Sequence, residues 1–175
     1  DPGLLHNLFF RAENEKNISI VYPGAYEIDD SGNRLRRYCD WLMVKDVPRP
    51  FVPHHVLLGI TYNVCMYGLW LEEKRKVIKI RHSCSGADHL LVAEMALLGS
   101  VIYESSGIIY LGKGRDYAQD LTRYEKKHVA NDDPVKDFSQ QLEWASYLVD
   151  QAVKGDPFYS QGQMKSFIKT SMLSA

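Results

Sequence analysis

The sequence predicts an α/β fold, a mixed sheet flanked by helices and followed by a C-terminal helical extension. Three observations carry that expectation. Short β-branched runs at 18–22, 76–80, 101–103 and 108–111 have the length and flanks of strands. One stretch between them, 85–99, repeats its apolar residues at helical spacing. From Asp116 onward the spacing is helical throughout. A chain of 175 residues holds one domain with a sizeable core and is too short for two full-sized ones.

Taken in order, Leu4, Leu5, Leu8, Phe9 and Ala12 mark an amphipathic helix over 3–14. Residues 18–22 (ISIVY), closed by Pro23-Gly24, form a buried strand. The turn cluster Asp29-Asp30-Ser31-Gly32-Asn33 joins Glu27-Ile28 to Leu35-Arg36 as a hairpin. Three prolines make 47–53 an irregular connection. The uncharged stretch after it is compatible with helix and then strand, and periodicity does not choose.

Residues 76–80 (KVIKI) are strand-like, and 85–99 is the clearest helix, ended by Gly99. Two short strands, 101–103 and 108–111, flank a Ser105-Ser106-Gly107 turn. Tyr117, Leu121, Tyr124 and His128 share one helical face. A second helix begins at Asp133-Pro134 and stops at Gly155, with Val135, Phe138, Leu142, Ala145, Leu148 and Ala152 as its stripe. Asp156-Pro157 opens a third.

Composition narrows the function classes without selecting one. Twenty-one basic residues against 22 acidic ones leave a formal charge of −1, so bulk charge gives no case for nucleic acid. Cys39, Cys65 and Cys84 are odd in number, widely spaced and form no CxxC pair. Free thiols in a reducing, cytoplasmic setting are the expectation. No basic region followed by an apolar stretch opens the chain, and neither does a Met. Segment 51–71 carries no Asp, Glu, Lys or Arg, and approaches the ~20 residues of a membrane helix. Its Pro53, His54, His55, Gly59, Asn63 and Gly68 make it buried core instead.

Several residues have the type and setting for chemistry. Asp88, three residues after Ser85 at the head of the best helix, is either half of a capping box or a general base. His82, Cys84 and His89 surround the same loop, although H-x-C-x4-H matches no zinc spacing. Gly112-Lys113-Gly114-Arg115 follows a strand with two cations on a flexible backbone, able to hold a phosphate or to be an ordinary exposed turn. The run 72–76 (EEKRK) is a solvated face. No Walker, G-x-S-x-G, kinase or dinucleotide string occurs.

Five segments, in their order along the chain, form a larger pattern. They are Asp1-Pro2-Gly3-Leu4-Leu5, then Val21-Tyr22-Pro23 with Ile28-Asp29-Asp30-Ser31-Gly32, then Asn63-Val64-Cys65-Met66-Tyr67-Gly68-Leu69-Trp70. The G-x-D-x-x-L-x-x-x-x-x-x-G helix from Gly86 to Gly99 follows, and then the run 108–111. Together they resemble the second half of the large inverting "family two" nucleotide-sugar glycosyltransferases, which have the GT-A fold. The likeness spans roughly 1–115. It implies an acceptor-side α/β portion over 1–115, partly GT-A-like, and a helical extension over 116–175.

By this resemblance Asp88 is the base that activates the acceptor hydroxyl. Tyr67, Trp70 and His89 stand on the substrate side, and Lys113 and Arg115 approach the donor pyrophosphate. The family's nucleotide-binding half, with the DxD carboxylates that hold Mg²⁺ or Mn²⁺, is not in this sequence. The usual Glu-Asp pair is Ala87-Asp88, and the basic loop at 112–116 lacks the family's His. The chain therefore reads as a fragment of a longer enzyme, or as a remnant without activity of its own.

The implied partners are a nucleotide-sugar donor and a hydroxyl acceptor, with peripheral membrane contact and homo-oligomerisation left open. Two other readings remain. One is a non-catalytic binding or assembly module using the C-terminal helices; the other is a metal-dependent hydrolase built on His82, Cys84 and His89.

Overall fold

A computed structural model describes residues 2–38, 42–60, 62–79, 84, 86–112 and 134–154. Strand β1 (Ile18–Ile28) organises the sheet. Along one side it pairs in parallel with a long strand, here β4 (Ser100–Gly112). Its other side is shared by two antiparallel strands. The short strand β3 (Leu69–Trp70) lies opposite Ile20 and Val21, and β2 (Arg34–Tyr38) opposite Ala25 to Ile28. Among the described residues the result is an open, mixed, four-stranded sheet in an α/β fold.

The central place of β1 explains its sequence. Residues 18–25 are buried without alternation because both faces are covered. On one face Leu8 of α1 (Leu4–Asn14) packs with Ile18, Val21 and Ile102. On the other, Ile20, Tyr22 and Ala25 meet the main core. There α4 (Ala87–Leu98) buries Ala87 and every residue from Leu90 to Leu97. Such a helix must be covered all round. The sheet, α2 (Val52–Gly59) and α5 (Pro134–Val153) cover it. A short α3 (Glu72–Arg75) lies between β3 and α4.

Several sequence expectations hold: α1, the hairpin, α4 ending before Gly99, and α5 beginning at Pro134. In the hairpin turn the Asp29 carboxylate accepts from the backbone N–H of Ser31 and Asn33, while Gly32 takes φ 81°. Segment 51–71 is an eight-residue helix, a 3₁₀ turn (Val64–Tyr67) and the short β3, with Val52, Val56, Ile60, Val64 and Cys65 in the core. No described helix is long and apolar enough to cross a membrane.

Others are corrected. The strand at 18–22 continues to Ile28, and 101–103 and 108–111 belong to one strand. Pairing jumps from Pro23↔Glu104 to Gly24↔Ile108, so 105–107 are left out of register. Pro23 has no N–H to give the ladder, and the irregularity sits beside it. The described part of 76–80 is not strand. Lys79 gives its backbone N–H to the Glu94 carboxylate, at 2.8 and 3.0 Å, instead of to a neighbouring strand. The apolar stripe of α1 divides, with Leu8 buried while Leu5 and Phe9 stay exposed. The expected helices over 116–128 and after Asp156 lie outside the described residues.

Candidate functional site

Helix α4 begins from Gly86, whose φ of 69° is a left-handed value that glycine adopts without strain. Asp88 lies in the first turn, near the positive end of the helix. Its Oδ2 accepts a 2.7 Å hydrogen bond from Nδ2 of Asn63, 25 residues earlier. The helix follows Gly86, which has no side chain to cap it, and Ser85, the other half of the expected capping box, lies outside the described residues. Asp88 is half-buried, and Oδ1 has no partner among the described residues.

Asn63 is held more firmly than a loop residue usually is. Its backbone is left-handed (φ 47°, ψ 44°), a region asparagine tolerates better than most residues. The 3₁₀ turn after it closes with Met66 N–H donating to the Asn63 carbonyl at 3.1 Å. Gly68 then lies so close to β1 that a Cβ would stand 2.5 Å from the Val21 carbonyl oxygen. Trp70 donates its indole N–H to the Cys65 carbonyl at 2.9 Å, tying the turn from beyond. Asn63 is 6% exposed, and its Oδ1 is buried without a hydrogen-bond partner among the described residues. A fixed, desolvated acceptor thus stands on the same amide that orients the carboxylate.

Of the residues expected at the site, Tyr67 is exposed on the turn that begins at Asn63. Trp70 is half-buried, packs on the main core and has its N–H occupied. His89 is half-buried, about 100° round the helix from Asp88. Lys113 and Arg115 lie outside the described residues, as does His82 of the proposed metal cluster. Among the described residues no three His, Cys, Asp or Glu converge on a common point.

Asn63 opens the 63–70 segment, but no spacing in the sequence links it to Asp88. Nor does any motif mark Glu94. It is 4% exposed and binds Lys79 N–H and the Tyr147 hydroxyl, joining three parts of the fold. A lone carboxylate inside an apolar helix was the available signal.

A cavity of about 150 Å³ lies between residues 44–52 and the far end of α4, lined by Val44, Arg49, Val52 and Leu97. Leu97 lies nine positions beyond Asp88 in the helix, roughly 14 Å at ~1.5 Å per residue, so this space is not beside the carboxylate. Comparison with protein-family models, curated proteins and solved structures gives no match.

Proposed function

We propose that the chain is the acceptor-side portion of an inverting nucleotide-sugar glycosyltransferase, with Asp88 as the general base. The observation that supports this best is the Asn63–Asp88 hydrogen bond of 2.7 Å. It joins two segments that the family resemblance selected for separate reasons. It also leaves one carboxylate oxygen to receive a proton. As the acceptor oxygen attacks the anomeric carbon, its proton passes to Asp88. The bond from that carbon to the diphosphate breaks, and the diphosphate leaves with the electron pair. Alignment and proton transfer are this chain's contribution; the proton step passes through no metal.

The assembly-module reading draws less support. It needs the α5 stripe free for a partner, and Phe138 is exposed. Leu142, however, is half-buried, and Leu148 is fully buried in the main core.

The test uses the protein at the length its gene encodes, given UDP- and GDP-linked sugars with Mn²⁺ and a panel of hydroxyl acceptors. The expected result is acceptor-dependent release of nucleoside diphosphate, lowered by about 10²–10⁴-fold in Asp88→Asn with the circular dichroism unchanged. Wild-type turnover in a folded Asp88→Asn variant would remove Asp88 as base. Absence of release with every donor would remove the transferase reading.

A further inference from the structure

The cavity at the far end of α4 is walled by three stretches of chain: residues 44–52, Asn17 just before β1, and Gly99 with Ser100 where β4 begins. Its volume of about 150 Å³ is several times the ~30 Å³ that one water takes in the liquid. Asn17 is fixed in three ways. Its backbone is left-handed (φ 53°), its carbonyl accepts the Ser100 N–H at 2.8 Å, and its Oδ1 accepts from Lys74 Nζ at 2.7 Å. The amide nitrogen Nδ2 is the end that remains, without a partner among the described residues. The Ser100 hydroxyl is also unengaged there.

The other donors are cationic. Arg49 gives one N–H to the Leu97 carbonyl at 2.6 Å and one to that of Gln151 at 3.3 Å, so three of its five remain. Lys45 gives one of its three to Glu15 at 3.0 Å. Glu15 is shared with Arg11 at 2.9 Å, which leaves that trio one positive charge in excess. Lys74 lies so close over Gly99 that a Cβ there would collide with its Nζ, and burial pushes its pKa down. Among the described residues no carboxylate stands within ion-pair distance of it. The ends of α4 and α5 carry about half a negative charge each and offset Arg49, which supplies direction more than charge. Among the described residues no Asp or Glu lines the cavity, and Asp46 is exposed outside its wall.

We infer that this cavity is a binding site for a phosphate group, held by Arg49, Lys45, Asn17 and Ser100. Donors approach it from three stretches of chain, which suits three oxygens of a tetrahedral phosphate better than the two of a carboxylate. Two of the holders are set before the ligand arrives, Arg49 by the carbonyls it binds and Asn17 by Lys74. Inorganic phosphate and the phosphate ester of a small molecule have this chemistry in common. The site lies at the opposite end of α4 from Asp88 and does not depend on the role of that residue.

Isothermal titration of the full 175-residue chain at low salt and neutral pH tests the site with sodium phosphate, glycerol 3-phosphate and sodium acetate. Saturable binding of at least one phosphate probe is expected, with acetate weaker than either. Tighter binding of glycerol 3-phosphate indicates an ester, and tighter binding of phosphate the ion itself. Lys45→Gln should weaken binding by about tenfold, the effect of a hydrogen bond to a charged group. Arg49→Lys keeps the charge but has one N–H left once both carbonyls are bound, and should weaken it several-fold. Asn17→Gly, where glycine accepts the left-handed backbone, should also weaken it several-fold. Lys45 and Asn17 are exposed, so their variants cover the case of a poorly folded Arg49→Lys. Arg34→Gln removes the same charge opposite Ile28, roughly 33 Å along β1 from Ile18 at ~3.3 Å per residue, and should leave binding unchanged. Failure of both phosphate probes to bind would overturn the inference. So would wild-type affinity in Lys45→Gln and Asn17→Gly, equal loss in Arg34→Gln, or equal affinity for acetate.

Discussion

Tyr147 donates its hydroxyl to Glu94 at 2.8 Å from a partly buried position. Burial first, and then the carboxylate it faces, push its pKa well above the ordinary tyrosine value. Below about pH 10 the phenol is neutral in the folded and unfolded chain alike. Above it the unfolded chain loses the proton that the folded chain keeps. Stability then falls with rising pH, by up to about 1.4 kcal/mol per pH unit. Tyr147→Phe should lower stability at pH 7 by about 1.5–3 kcal/mol, the range for a hydrogen bond to a charged group. It should also flatten the alkaline loss, leaving the smaller contribution of Tyr38, which Glu27 raises in the same sense. Urea unfolding from pH 7 to 11 checks both, and an unchanged alkaline slope in the variant would contradict the assignment. At this scale the sequence was partly legible. Asp88 stood out because it heads a helix, whereas its partner Asn63 belongs to a segment that only folding brings near.

At the level of elements, close backbone approaches decide where the chain turns. Gly68 stands against Val21 and Tyr22 of β1, and Gly99 against the Asn17 carbonyl where α4 gives way to β4. Gly99 is extended (φ 174°), so its requirement is space and not backbone freedom. Gly68→Ala should cost about 1–3 kcal/mol through overpacking, with displacement of the turn that holds Asn63. Thermal unfolding measures the loss, and a melting point equal to wild type would show that β1 can yield. Helix α4 and the hairpin were readable because period, turn residues and terminal glycine agree. The unity of β4 was not, since Ser105-Ser106-Gly107 has turn chemistry and only its pairing with β1 keeps the strand continuous. Residues 76–79 failed as a strand for a tertiary reason, the Glu94 carboxylate.

For the molecule as a whole, α5 is part of the body. Leu148 and Ala152 enter the main core, and Arg49 donates to the carbonyls of Leu97 in α4 and Gln151 in α5, binding the C-terminal turns of both helices. The α/β class was legible from alternating strand and helix patterns; the order of strands around β1 was not, because long-range pairing leaves no local period. In the proposed mechanism the fixed Asn63 amide holds the Asp88 carboxylate for proton transfer. Asn63→Gly tests it most directly, since glycine accepts the left-handed backbone while the side chain that carries the amide is lost. In the acceptor-dependent release assay kcat is expected to fall by about 10–100-fold, while KM for the donor and the cooperative melt persist. An unchanged kcat in that folded variant would contradict it.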